Sequence, residues 1–174
     1  MSNESNDQKL YEVRTSRIHN KGVYASKDIS KGTNIIEYRG EKITKEEADK
    51  RLDESFKKHK EKPEENAAVY IFELNDEYDL DGDIPLNDAK YINHSCDPNC
   101  DFEIKEDHIW LFAIKDIKEG EELTYNYGFD FDEDTMDHPC KCGSANCAGY
   151  IVSDDEWSKL KEYLKKLEEE KKQS

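Results

Sequence analysis

Apolar residues near the start of the chain fall in short clusters rather than long stripes. Tyr11 and Val13, then Val23, Tyr24 and Ala25, then Ile35, Ile36 and Tyr38 are separated by Asn20-Lys21-Gly22 and Lys31-Gly32, where glycine permits tight turns. Aromatic and β-branched residues so spaced predict short strands. The period then changes. Thr44-Lys45-Glu46-Glu47 reads as a capping box, and Ala48, Leu52 and Phe56 recur every fourth residue, predicting a helix over about 45–60 that Pro63 ends. A polar loop is expected at 61–66, and 69–74 alternates as a two-faced strand. Ile104, the run Ile109-Trp110-Leu111-Phe112-Ala113-Ile114, and 123–127 supply further strands, with Lys118-Glu119-Gly120 as a turn. The unbroken run at 109–114 predicts burial on both faces. Ser153-Asp154-Asp155-Glu156 reads as a second capping box. Trp157, Leu160, Leu164 and Leu167 then line one face of a helix to about residue 172, docked over its first two turns and frayed from 168 onward. The pattern predicts a mostly β body with a helical insert and a C-terminal helix.

At 174 residues the chain is one domain by length. Its parts are a flexible tail at 1–9, a body at 10–130 with its helical insert at about 44–62, a thiol-rich loop at 136–152 and the helix at 153–174. No apolar run approaches the roughly 20 residues that span a bilayer, and residues 1–7 are polar, so a soluble chain with neither export signal nor membrane partner is expected. Five cysteines, an odd number, argue for reduced thiols and a reducing compartment, cytoplasm or nucleus, or a host cell if the source is a microbe. A net charge of −16 disfavours nucleic acid as a direct ligand, because phosphate affinity comes mostly from Lys and Arg. It suits a basic lysine-containing protein or peptide, and it also keeps a small protein, expected to be a monomer, in solution.

Clustering of the thiols points to metal. Cys140-x-Cys142-x4-Cys147 places three potential thiolates on a short loop, and Zn²⁺ takes four such ligands in a tetrahedron. Spacing alone leaves His138, Cys100 and Cys96 open as the fourth.

The string Tyr91-Ile92-Asn93-His94-Ser95-Cys96-Asp97-Pro98-Asn99 precedes Glu121-Glu122-Leu123-Thr124-Tyr125-Asn126-Tyr127-Gly128 and then the cysteine trio. In this order the three blocks resemble a SET domain followed by its post-SET zinc segment. The resemblance implies a β-clip arrangement of small curved sheets and methyl transfer from S-adenosylmethionine to the ε-amine of a protein lysine, in a histone or another basic protein. It selects Cys96 as the fourth zinc ligand beside Cys140, Cys142 and Cys147, and leaves Cys100 spare. Ser16-Arg17-Ile18-His19-Asn20-Lys21-Gly22-Val23-Tyr24-Ala25 resembles the family's first motif, a Gly-x-Gly turn against the methyl donor. Asn20 replaces the first glycine there, and Asn is the residue after Gly that best tolerates left-handed backbone.

By the same resemblance His19, Asn20, Lys21, Gly22, Asn93, His94 and Lys141 are expected at the donor. The segment Ile36-Glu37-Tyr38-Arg39-Gly40-Glu41 packs nearby, and Tyr70 lines both donor site and lysine channel. Lys90 stands where the family often carries Arg, which puts a structural ion pair in question. Tyr127 is implied as the catalytic tyrosine and Tyr125 as the residue limiting methyl number, giving mainly mono- or dimethyl-lysine. Tyrosines suit this chemistry. A lysine amine titrates at about 10.4, so holding it neutral at about pH 7.4 costs about 4 kcal/mol, which a dry aromatic channel beside a sulfonium offsets. The alternative is a catalytically silent SET-like module, zinc-stabilised, that binds basic tails.

Overall fold

The structure is a computed structural model that describes residues 9–61 and 70–173. Residues 1–8 of the expected N-terminal tail, Pro63, nearly all of the 61–66 loop and the first residue of the 69–74 strand lie outside the described residues, as does the side chain of Phe56. Lys9, the last residue of that tail, pairs with Asp88 at 3.1 Å.

Ten strands and two α-helices are described. They are β1 (Tyr11–Thr15), β2 (Lys21–Ala25), β3 (Asn34–Tyr38), β4 (Glu41–Thr44), α1 (Lys45–Glu61), β5 (Ile71–Glu73), β6 (Tyr78–Asp81), β7 (Asn93–His94), β8 (Cys100–Lys105), β9 (His108–Ala113), β10 (Glu122–Tyr125) and α2 (Trp157–Gln173). The strands form three small sheets, ordered β1-β2-β10-β7, β3-β9-β8 and β4-β6-β5. The mostly β class is as expected. Val23, Ala25, Ala89, Ile92, Ile109, Leu111, Ala113 and Leu123 are buried in one core cluster contributed to by the first two sheets.

Turn chemistry explains the tight connections. Ser16 N donates to Asn20 O at 3.0 Å, and Asn20 takes a φ of 33°, the left-handed side that its identity allowed. Glu106 and Asp107 both have positive φ, 50° and 63°, which suits the twist of the two-residue β8–β9 hairpin. Nothing in their side chains had marked that turn.

α1 keeps half of its capping box. Glu47 N donates to Thr44 Oγ1 at 3.3 Å, but the Glu47 carboxylate pairs with Arg51 at 2.9 Å instead of returning to the cap. Arg51 also holds Glu41 and Asp81, tying the helix to β4 and β6. The second box does not form. Ser153 makes no side-chain cap, a 3-10 turn over Asp154–Glu156 intervenes, and α2 starts at Trp157 and runs to Gln173. Leu160 is buried, whereas Leu164 and Leu167 are only partly covered. β9 also differs from expectation. Ile109, Leu111 and Ala113 are fully buried while Trp110 and Phe112 are half-buried, because only one face of this sheet meets the core. No described helix is long and apolar enough to cross a membrane.

Candidate active site and thiol cluster

The site is built where β7 and β10 run side by side. They pair in parallel, Thr124 against Asn93 and Tyr125 against His94, so segments 31 residues apart lie in register. Just past β10, Tyr127 N donates to His94 Nδ1 at 3.2 Å, and the Tyr127 hydroxyl donates to Ile92 O at 3.0 Å. Accepting at Nδ1 requires a neutral imidazole with its proton on Nε2. Burial pushes the His94 pKa down to about 4, in keeping with that state. Nε2 then faces Cys96 Sγ at 3.6 Å.

Aromatic rings enclose these groups. Tyr125 lies 4.9 Å from Tyr127, 6.2 Å from Phe72 and 6.3 Å from Phe102, centroid to centroid. Burial raises the Tyr125 and Tyr127 phenols well above their usual range, so both remain protonated. Tyr70 is half-buried, and burial raises its phenol too. Phe129 continues the cluster 5.6 Å from Tyr127 and stays 42% exposed, at the rim.

Tyr38 belongs to this cluster, and sequence reasoning gave it no specific role. Its hydroxyl donates to Tyr70 O at 2.7 Å, and the same carbonyl accepts from Gly82 N at 2.8 Å. A Cβ at Gly82 would lie 2.3 Å from the Tyr38 hydroxyl, so only glycine admits the contact. Lys90, which stands where the family often carries Arg, makes an ion pair of its own. Its ammonium bonds Asp83 Oδ1 at 2.9 Å and Ile84 O at 3.2 Å, and lies 5.3 and 5.4 Å from the ring centroids of Tyr70 and Tyr91.

On the other side of β7 the Asn93 amide donates to Glu122 Oε1 at 2.8 Å, Lys21 O at 2.9 Å and Ser16 Oγ at 3.2 Å. Glu122 also takes the hydroxyls of Ser16 and Tyr24. Nothing in the sequence set this glutamate apart from its charged neighbours. A cleft of about 450 Å³ opens beside it, lined by Arg17 and Ile18 of the first motif, Ser95 and Asn99, Glu122 and Thr124, and residues 142–144 of the thiol loop. All three sequence blocks and the first motif therefore contribute to one concavity. The individual residues expected at the donor are placed less uniformly. His19, Asn20 and Lys21 are exposed on the turn next to Ile18, Lys141 is exposed next to Cys142, and Gly22, Tyr70, Asn93 and His94 sit behind or away from the cleft. None of the eight lines it, though each of the stretches 19–22, 93–94 and 141 has a sequence neighbour that does, Tyr70 being the exception. Lys21 sets its ammonium 4.6 Å from the Tyr91 ring. Gly22 is required by packing, since a Cβ there would meet Glu122 Oε1 at 2.3 Å.

Position groups Cys96 with the cysteine trio. The sulfurs of Cys96, Cys140, Cys142 and Cys147 lie within 4.8 Å of one another, with Cys96 3.8 Å from Cys140 and 4.0 Å from Cys147. A tetrahedral ion with metal–sulfur bonds of about 2.3 Å needs sulfurs about 3.8 Å apart, so the four fit zinc with little rearrangement. Burial pushes the Cys96 thiol up to about 11. Burial acts the same way on Cys142, but the Ser144 hydroxyl and nearby backbone groups outweigh it and carry that thiol down to about 6. Cys100 is 1% exposed in the core, donates to Asn99 Oδ1 and is not in the cluster. His138 is also outside the cluster, facing the Phe129 ring at 6.5 Å.

The SET domain family matches residues 20–128. Similar proteins include Histone-lysine N-methyltransferase 2D of Homo sapiens, 43% identical over 140 residues that cover 78% of this chain and 2% of that protein. Histone-lysine N-methyltransferase trithorax of Drosophila virilis is 38% identical over 143 residues, covering 80% of this chain and 4% of its own length. Histone-lysine N-methyltransferase, H3 lysine-4 specific, of Aspergillus oryzae is 39% identical over 141 residues, covering 78% and 11%. The chain thus spans between 2% and 11% of the length of these relatives. With the family match extending from the Asn20 turn through the tyrosine block to Gly128, the chain belongs to the SET-domain family.

Proposed function

We propose that this chain transfers a methyl group from S-adenosylmethionine to the ε-amine of a lysine in a basic protein, with a histone H3 tail the first substrate to try. The observation that carries this reading is the parallel β7–β10 pairing, which sets Tyr125 and Tyr127 against Asn93 and His94 beside a cleft. The histone assignment rests on the names of the relatives, one of them H3 lysine-4 specific. A histone substrate would place the protein in the nucleus.

Bound S-adenosylmethionine supplies a methyl carbon on a cationic sulfonium, the leaving group of a direct displacement. The chain's own residues prepare the amine. The walls formed by Phe72, Phe102, Tyr125 and Tyr127 disfavour an ammonium, so the lysine sheds its proton to solvent on entering. Tyr127 stays a neutral phenol. With its proton given to Ile92 O, its oxygen is an acceptor that orients the remaining N–H bonds of the amine. Asn93, His94, the first-motif turn, Tyr70 and Lys141 are assigned to the donor side. Zinc, held by Cys96, Cys140, Cys142 and Cys147, would fasten the thiol loop to the 95–99 loop and so keep a wall of the cleft in place.

A radiolabelled methyl-transfer assay on Lys/Arg-rich peptides tests the reading, since no transfer to any of them would leave a silent tail-binding module. The same assay checks the role of charge. KM for such a peptide rises several-fold between low and physiological ionic strength while kcat changes little, because screening weakens long-range attraction more than desolvated chemistry. A flat KM would return the acidic surface to a role in solubility.

Product number is set at Tyr125. Its hydroxyl sits inside the aromatic cluster and can hold a water that a bulkier methylated amine must displace without replacing its hydrogen bonds. The native chain therefore yields mainly mono- or dimethyl-lysine, and Tyr125→Phe shifts products toward di- and trimethyl-lysine. Mass spectra of a single-site peptide over time read this directly. Trimethyl-lysine accumulating with the native chain alone would contradict it.

A further inference from the structure

We propose that Glu122 is a positioning residue of the methyl-donor site, its carboxylate fixing the orientation of the Asn93 side-chain amide and with it the affinity for S-adenosylmethionine. This inference rests on the methyl-transfer reading above. Asn93 is 6% exposed, and its Nδ2 points at three acceptors, Glu122 Oε1 at 2.8 Å, Lys21 O at 2.9 Å and Ser16 Oγ at 3.2 Å. Ser16 is an acceptor here because its own proton goes to Glu122 Oε1 at 2.7 Å. Turned over, the amide would set Oδ1 against a carboxylate oxygen and a backbone carbonyl, two groups that can only accept. The network thus admits one orientation. Oδ1 becomes the atom the amide has left to offer, an acceptor suited to the ammonium of an amino-acid group such as S-adenosylmethionine carries.

Glu122 is itself held in place. The Tyr24 hydroxyl donates to Oε2 at 2.9 Å, and the backbone O of Glu122 accepts from Asn99 Nδ2 at 2.8 Å. The missing Cβ of Gly22 leaves room for Oε1. One carboxylate therefore ties β2, β7 and β10 together at the edge of the cleft it lines. Remove it, and the Ser16 hydroxyl is free to donate to Asn93 Oδ1, so Lys21 O is the one acceptor-only partner left to oppose the turned-over amide and the preference for one orientation weakens. The charge run Glu119, Glu121, Glu122 hides this role in sequence, where all three read as solvated.

Titration calorimetry of S-adenosylmethionine into the native chain, Glu122→Ala, Asn93→Ala and the double variant tests the proposal, with KM for a basic peptide measured alongside. Glu122→Ala should weaken donor binding about tenfold, the scale of one hydrogen bond to a charged group, with peptide KM unchanged. In the double variant the loss should be no larger than in Asn93→Ala alone. Native donor affinity in Glu122→Ala overturns the proposal, as does an equal loss whether or not the Asn93 amide is present. A parallel loss of peptide affinity also overturns it, by indicating general disruption. Should Glu122→Ala not fold, Glu122→Asp retracts the carboxylate by one methylene and enters the same cycle, where independence from Asn93 again overturns the proposal. A native chain that binds no S-adenosylmethionine refutes the methyl-transfer reading itself, a result distinct from native binding without coupling.

Discussion

Replacing Tyr127 by Phe lowers methyl transfer at least about a hundredfold while leaving fold and donor affinity largely intact, the scale on which positioned catalytic groups act. The substitution removes one oxygen. Its hydrogen bond to Ile92 O is lost, at a cost of about 1 kcal/mol of stability, but the ring keeps its neighbours Tyr125 at 4.9 Å and Phe129 at 5.6 Å. The backbone N–H of residue 127 still donates to His94 Nδ1, so the β7–β10 seam survives. What disappears is the hydroxyl that Tyr127 holds against Ile92 O, at the join of the tyrosine block and the Asn93-His94 block. Thermal melting and donor titration should therefore stay close to native while kcat falls. A folded variant turning over near the native rate would favour the silent module.

Much of this site was legible because its chemistry is written in contiguous strings. Asn20 could be read as a left-handed turn residue from its identity alone, and it has that conformation. The cysteine trio announced a metal-binding loop on spacing. What could not be read was which distant partner each string meets. Spacing left Cys96 and Cys100, four residues apart, both open; the family resemblance chose Cys96, and the physical reason lies at the start of β8, where Cys100 pairs with Ala113 and is buried in the core. Tyr38 and Glu122 act through a carbonyl of residue 70 and an amide of residue 93, contacts that no local pattern encodes. The second capping box failed for a related reason. Ser153 N is committed to Phe129 O at 2.8 Å, so the chain is anchored to the site before the helix begins and enters α2 through a 3-10 turn.

The four-thiol cluster carries the other large effect. One zinc per chain is expected, and Cys96→Ser abolishes it while Cys100→Ser does not. Sulfur separations already near those of a tetrahedral site mean that the ion is bound without an ordering cost for Cys96, whose loop is held by Asn99 bonds to Glu122 O and Thr124 N. Structural zinc can contribute about 10 kcal/mol or more of folding free energy, comparable with the entire stability of a domain, about 5–15 kcal/mol. The loss should be concentrated in the thiol loop. Among its described backbone bonds, those to the rest of the chain are few, Cys140 N to Gly149 O and Ile151 N to His138 O being internal to the segment. Cys96→Ser or a chelator should therefore expose residues 138–152 to proteolysis and remove donor binding, because residues 142–144 form one wall of the cleft. Cys100→Ser instead places a hydroxyl in a fully buried core position and should lower the melting temperature with zinc content unchanged. Metal analysis separates the two variants, and zinc lost from Cys100→Ser but kept in Cys96→Ser would mean that the thiols are not paired with the ion as their positions indicate.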